Sequence, residues 1–398
     1  MTLPRFIQIH TLHNYPAALL NRDDAGLAKR LPYGDAIRTR ISSQCLKRHW
    51  RVADDTFALS RLGVPMAVRS RGTLELIRQE IVKRGVSEAL AQTAAEGLRA
   101  AGLLDKGKDL KGKEALETGQ AVLLGRAEIA YLVERCATLA GEHTDDKALK
   151  GAIAKFLKDE KKNIEALRHG SGLESALFGR MVTSDILASR DASVYVAHAF
   201  TVHEAQVEND YFTVVDDLLQ EAGEQSSAGI FDTELASGLY YGYVVIDVPQ
   251  LIANLEGHPA AEWASLPAEQ RELAGRVVQH LIHLIATISP GAKRGSTAPF
   301  DWARFLLVEA GDWQPRSLAG AFQNALPLQT PALRQAAVQH LATEIAQLDA
   351  AYGAPLARRF LALDDVQVPA GQRLPLGGLA DWVREAIVNA NAAMVAGA

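Results

Sequence analysis

The 398-residue chain predicts an α+β fold in which a sheet-bearing scaffold is interrupted by one long helical insertion. Three observations carry this. Stretches rich in β-branched and aromatic residues recur at 5–12, 36–41, 193–203, 238–248 and 304–309. Between them, residues 72–170 are dominated by Ala, Leu, Glu, Lys and Arg and are thin in strand formers. Finally, Leu273, Val277, Leu281, Leu284 and Ile288 repeat at helical spacing before Ser-Pro-Gly stops the helix.

In chain order, residues 5–12 alternate Ile7 and Ile9 with Gln8 and His10, which predicts a strand with one buried face. Residues 13–35 are rich in turn chemistry (Asn-Tyr-Pro, Asn-Arg-Asp-Asp, Pro-Tyr-Gly-Asp) and read as a polar loop. A short strand at 36–41 then leads into a helix for which Ser42 or Ser43 is the natural N-cap. The insertion reads as several helices broken at Gly85, Gly102, Gly125 and Gly141, with a solvated Gly/Lys turn at 106–113. Strands at 193–203 and 238–248 rebuild the sheet, the helix 269–288 and a strand at 304–309 follow, and helices near 331–352 and 379–395 finish the chain. The expected layout is residues 1–71 with 171–398 as the scaffold and 72–170 as the insertion.

Composition narrows the function. Apolar residues make up 48% and charged residues 22%, enough to bury a core and too apolar for wholesale disorder. Cys45 and Cys136 stand far apart outside any C-x-x-C spacing, which excludes a disulfide framework and a structural zinc site. No run approaches the roughly 20 apolar residues of a membrane span, so a cytoplasmic protein is expected. The net charge of −5 argues against a general polyanion binder, but it is unevenly spread. Residues 20–51 carry eight bases (Arg22, Lys29, Arg30, Arg38, Arg40, Lys47, Arg48, Arg51) against three acids (Asp23, Asp24, Asp35), so this window is +5 and the remainder −10.

That window holds the strongest candidate site. On a helix from Ser43, Leu46 and Trp50 form the inward face, while Lys47 and Arg51 lie one turn apart and repel unless an anion sits between them. Ser42, Ser43 and Gln44 at the helix start would add hydroxyl, amide and backbone N–H donors, making a phosphate-backbone cradle. Arg22 and Lys29 precede it, and Lys293 and Arg294, flanked by glycines, form a second basic turn. Residues 179–184 and 209–214 flank the strand 193–203, and two readings stand: apolar and aromatic side chains at a loop tip serve as a stacking platform or wedge between bases, or Met181, Tyr211 and Phe212 pack a core. His198 and His203, five apart, face opposite ways and read as satisfied structural histidines. No nucleotide-binding, hydrolase or metalloprotease motif occurs, so no catalytic or metal-ligating residue is singled out.

Six segments together resemble the CasC-type backbone subunit (RAMP superfamily) of the type I-E CRISPR surveillance complex, Cascade. They are Leu20-Asn-Arg-Asp-Asp24, Arg40-Ile-Ser-Ser-Gln-Cys-Leu-Lys-Arg48, Phe178-Gly-Arg-Met-Val-Thr-Ser184, Ala197-His-Ala-Phe-Thr-Val-His203, Tyr211-Phe-Thr-Val-Val-Asp-Asp217 and Pro290-Gly-Ala-Lys293. The resemblance implies a modified RRM (ferredoxin-like) palm, a helical finger and a protruding thumb. It implies a non-enzyme without cofactors that polymerises along CRISPR RNA, beside the large, small, 5′-handle-binding and 3′-hairpin-processing subunits, and meets target DNA through the guide. Carried over by position, Arg22, Lys29, Ser42, Ser43, Gln44, Lys47 and Arg51 contact the RNA backbone, with Lys293 and Arg294 as additions; Met181, Phe212 and Thr213 lie at the thumb and a displaced base. Cys45 and Tyr211 depart from the family pattern, where serine and tryptophan are usual. A second reading is a metal-dependent ribonuclease of the type III kind, using Asp23, Asp24 or Asp35.

Overall fold

The computed structural model describes residues 3–103, 116–118, 121–160, 171–180, 189–215, 227–353 and 355–389, with only the backbone for 212–215 and 227–231. In chain order the elements are β1 (Phe6–Ala18), β2 (Arg30–Tyr33), β3 (Ala36–Ile41), α1 (Ser43–Arg51), β4 (Ala67–Ser70), α2 (Thr73–Lys83), α3 (Glu88–Ala100), β5 (Val122–Gly125), α4 (Arg126–Glu142), α5 (Asp146–Asp159) and α6 (Leu173–Phe178). There follow β6 (Val194–Val196), β7 (Ala199–Thr201), β8 (Gln206–Val215), β9 (Ser227–Asp247), α7 (Val248–Glu256), α8 (Glu269–Thr287), α9 (Arg294–Thr297), β10 (Phe305–Gly311), α10 (Leu333–Tyr352), β11 (Ala357–Ala362), β12 (Gly371–Arg373) and α11 (Leu376–Val388). The chain divides into two compact units. One comprises Met1–Leu59, Tyr195–Val248 and Pro267–Ala398, and the other Ser60–Val194 with Pro249–Leu266.

The first unit is built on a sheet ordered β12-β11-β10-β1-β9-β7-β3-β2, with β8 also paired to β9. β1 lies in its middle, antiparallel to both β10 and β9. That position corrects the one-faced strand expected from alternation, because Gln8 and His10 are as buried as Ile7 and Ile9. The polar face carries a buried network that leaves Gln8 Nε2 without a hydrogen bond. His10 bonds the Tyr241 hydroxyl at 2.9 Å and Glu309 at 3.3 Å, and Gln8 Oε1 accepts from the Tyr243 hydroxyl and the Arg316 amide, each at 2.8 Å. Glu309 also receives Arg316 at 2.6 Å and Arg358 at 2.7 Å; against the opposing effect of burial, His10 and then Arg316 hold its carboxyl well below the usual range. This side of the sheet packs Leu12, Tyr241, Phe305 and Phe360 against Val338, Leu341 and Ile345 of α10. On the opposite face Thr11, His13 and Tyr15 share a small cavity with Leu46 and Trp50 of α1 and Ile285 and Ile288 of the α8 segment.

Other expectations are corrected in detail. The polar loop at 13–35 is shorter than its turn residues suggest, since β1 runs on to Ala18 and β2 pairs with β3 around a tight turn. Gly34 there has φ +62°, and a Cβ would lie 1.6 Å from the Gln323 carbonyl oxygen, so only glycine fits. The strand at 193–203 is two short strands, β6 and β7. The stretch 209–214, expected at a loop tip, lies inside β8, and β9 runs 21 residues rather than beginning near 238. β11 and β12 are additional strands.

The second unit contains the β4–β5 ribbon and α2 to α6. Its core joins Leu74, Ile77 and Ile81 of α2, Leu98 of α3, Leu132 and Cys136 of α4, and Ile153 of α5. Gly85 and Gly102 take positive φ just beyond helix ends, and Gly125 is the N-cap of α4, whereas Gly141 lies within that helix. The unit is wider than the compositional segment 72–170. Arg180 forms a buried pair with Glu128 at 2.7 Å, and Asn254 donates to the Ala176 and Asp191 carbonyls, tying in residues beyond 170. Residues 106–113 lie outside the described residues.

Candidate nucleic-acid interface

Helix α1 forms where the sequence places it, and the chemistry of its first turn is open. The Ser42 hydroxyl caps it by accepting the Cys45 amide at 3.3 Å, while Ser42's own amide donates to Asn21 Oδ1 at 2.9 Å. Of the amides that have no intrahelical partner, those of Ser43 and Gln44 therefore stand as open donors among the described residues. No acidic residue occupies the first turn, so the positive end of the helix dipole has no built-in counter-charge. Trp50 is buried, and Ser43, Lys47 and Arg51 follow one another at four-residue spacing along the helix. Lys47 is half-buried, and burial pushes its ammonium below the usual lysine value.

Two loops are fixed against this helix. In the first, Cys45 Sγ donates to the Leu20 carbonyl at 3.8 Å, the Lys29 amide donates to the Asn21 carbonyl at 3.0 Å, and Arg40's amide donates to the Lys29 carbonyl at 2.7 Å. Asp23 organises the turn between, its carboxylate accepting the Ala25 and Leu27 amides at 2.9 and 3.0 Å. Arg22 is exposed and Lys29 half-buried on this loop. The second loop is attached by the Ala292 amide to the Leu19 carbonyl at 2.9 Å and by Lys293 Nζ to Thr233 Oγ1 at 2.6 Å. Arg294 lies close enough that, after burial, its positive charge helps hold His49 below the usual histidine value.

The long β8–β9 hairpin starts from the same place. Glu234 of β9 accepts the Ala28 amide at 2.9 Å and pairs with Arg30. In register, Asn209 faces Glu234, Tyr211 faces Asp232, Phe212 faces Phe231 and Thr213 faces Ile230. Phe212 and Thr213 thus occupy strand positions a few residues beyond the anchor of the two basic loops. Tyr211 is 64% exposed and is not a core residue. Met181 lies outside the described residues.

The raw charge of the 20–51 window overstates the interface. Arg38 is fully buried, donating to the Thr201 and Phe322 carbonyls at 3.0 Å, and Arg30 is neutralised by Glu234. Asp35 accepts the Ala325 amide at 2.7 Å, so Asp23 and Asp35 both serve backbone amides. Among the described residues no group of three or more His, Cys, Asp or Glu could hold a metal ion.

Sequence reasoning missed Asn21, Thr233 and Glu234, which position the basic loops, and it misjudged His198. His203 is the satisfied histidine expected, with Nδ1 donating to the Glu204 carbonyl and Nε2 accepting the Leu239 amide. His198 is exposed and bonded instead to Arg40. Nothing in the local pattern marks these contacts, because Ala28 and Glu234 are 206 positions apart and Arg40 and His198 are 158 apart.

A family model described as CT1975-like protein matches residues 7–384, nearly the whole chain. The chain belongs to the CT1975-like family. Its relation to solved structures is equally extensive. A chain of a "CRISPR RNA-guided surveillance complex, pre-nicking" matches this CT1975-like protein with TM-score 0.78 and 26% identity, covering 96% of this chain and 100% of the other. A chain of a "CRISPR RNA-guided surveillance complex" matches with TM-score 0.66 and 24% identity over 94% and 99% of the two chains, which shows likeness of fold. No curated protein matches. The CT1975-like chain therefore shares the α+β fold of surveillance-complex subunits, and none of its described helices is long and apolar enough to cross a membrane.

Proposed function

We propose that this chain is a backbone subunit of a type I-E-like CRISPR surveillance complex that holds the sugar-phosphate backbone of the guide RNA without reading its sequence. The carrying observation is the α1 start: two open amides, the Ser43 hydroxyl and the Gln44 side chain, with Lys47 and Arg51 following along the helix and Lys29 and Lys293 on loops fixed beside it. These groups suit phosphate and ribose oxygens and offer no fixed pattern for base edges, leaving specificity to pairing by the guide. The similarity to surveillance-complex chains over essentially the full length supports the same reading.

In this account the sheet unit is an RRM-like palm, the helical unit is a finger, and the β8–β9 hairpin is a thumb that displaces a base near Phe212 and Thr213. Copies associate head-to-tail along the RNA beside the other subunits, a non-closing contact that generates a helical array. The chain binds and does not cut. That Asp23 and Asp35 serve loop and turn amides favours binding over the ribonuclease reading.

The test is affinity for several single-stranded RNAs of unrelated sequence, with a Mg²⁺-dependent cleavage assay on guide-paired RNA run alongside. Equal affinities and intact RNA are expected. A strong preference for one sequence, or regularly spaced cuts lost on Asp23→Ala, Asp24→Ala or Asp35→Ala, would overturn the reading.

A further inference from the structure

We propose that Arg40 and His198, with Lys29, form a further phosphate-binding subsite beside the α1 start, taking one phosphodiester of the bound RNA. The inference rests on the reading that the ligand is RNA and adds residues that this reading did not contain.

The geometry fixes the chemistry of the histidine. Arg40 Nη1 lies 3.0 Å from His198 Nδ1, and a guanidinium can only donate. Nδ1 is therefore the lone-pair nitrogen, and the neutral ring carries its proton on Nε2, as a donor on the side away from the arginine. Arg40 is itself fixed, since Nε donates to the Arg30 carbonyl at 3.2 Å and its amide to the Lys29 carbonyl at 2.7 Å. The second of these bonds sets Lys29 next to the pair.

The surroundings separate this cluster from its neighbours. Arg30 has Glu234 as a counter-charge, and Arg38 has two buried carbonyls with Asp35 beside it. Arg40's side chain has a carbonyl and a neutral imidazole. Partial burial, then the charges of Arg40 from β3 and Lys29 from the preceding loop, both cations, lower the His198 pKa from the ordinary histidine value. Among the described residues, an exposed histidine, the guanidinium bonded to it and the charge of Lys29 come together, and no carboxylate is among the charges acting on the ring, which makes an anion site. A metal ion is excluded there because the histidine lone pair is already engaged by a cation.

A phosphodiester that accepts from Nε2–H leaves Nδ1 as the acceptor for Arg40, so the ring binds in its neutral form and the phosphate supplies the negative charge that the cluster lacks.

The test uses the full chain and a fluorescently labelled single-stranded RNA across a salt series. His198→Ala, which removes the ring N–H, should weaken binding about tenfold. His198→Gln, which keeps an acceptor for Arg40 and an N–H donor, should bind within about twofold of the parent. Arg40→Gln, with an unchanged Tm, should flatten the slope of log affinity against log salt by about 0.7. Parent-like affinity in His198→Ala together with an unchanged slope in Arg40→Gln would overturn the subsite while leaving backbone holding intact. Failure of the parent to bind any RNA at low salt would remove both.

Discussion

Replacing Lys47 and Arg51 together by alanine tests the cradle at its two helix-borne cations. The two side chains sit one turn apart on α1, with Ser43 on the same line and the open first-turn amides at its end. If each engages one RNA phosphate, each contributes about −0.7 to the slope of log affinity against log salt for a single strand. Losing both flattens the slope by about 1.4. Over a fourfold rise in salt, from about 50 mM to about 200 mM, the parent should then lose about sevenfold more affinity than the double variant. The assay is fluorescence anisotropy with one labelled RNA across a salt series, repeated with an unrelated sequence that should give the same change. Lys83→Ala is the control, because Lys83 pairs with Glu80 on α2 and lies in the other unit. A folded double variant with the parent's slope would refute the phosphate assignment, whatever its affinity at a single salt concentration.

The remaining predictions concern the framework. Ser42→Ala removes the α1 cap and should cost about 1 kcal/mol in chemical denaturation. Glu309→Ala leaves Arg316 and Arg358 facing a buried void in charge and should cost about 3–5 kcal/mol, read as loss of the cooperative transition or a large fall in Tm. His13 is held neutral by burial, its pKa lowered to about 4, so the unfolded chain binds the extra proton first and stability falls as pH drops from about 6.5 through 4. His13→Asn should remove on the order of 3 kcal/mol of that acid-dependent loss in a pH series of denaturation curves. Asp23→Ala frees the Ala25 and Leu27 amides and should weaken RNA binding through disorder of the Arg22 loop, without changing RNA integrity in the presence of Mg²⁺.

Local pattern carried the elements whose neighbours are close in sequence. α1, its cap and α8 were legible because capping and apolar spacing act within one or two turns. The buried polar face of β1 was not, since the partners of Gln8 Oε1 and His10 lie 231 to 308 positions away. β11 was hidden for the same reason: its Arg358 and Arg359 look solvent-facing, yet Arg358 is fully buried between Glu309 and Asp349. The long hairpin escaped because residues 227–237 mix acidic, small and apolar residues whose strand form depends on pairing with β8.

The same division holds for the interface. Ser42, Ser43, Gln44, Lys47 and Arg51 belong to one helix and could be read in sequence, and the basic turns at 22–29 and 293–294 could be suspected from charge. What joins them is tertiary: Asn21 on the Ser42 amide, Thr233 on Lys293 and Glu234 on Ala28 and Arg30. Charge counting also misled, since a window of eight bases contains one arginine buried in the sheet unit and another neutralised by a buried glutamate.

The central claim is tested most directly by isolating the protein together with its neighbouring subunits and a CRISPR transcript, then extracting and sizing the nucleic acid that comes with it. A single RNA of uniform length, protected along its length from added nuclease, is the predicted result. Protein free of RNA, with no binding of added guide at low salt, would contradict the account and leave the shared fold as ancestry alone.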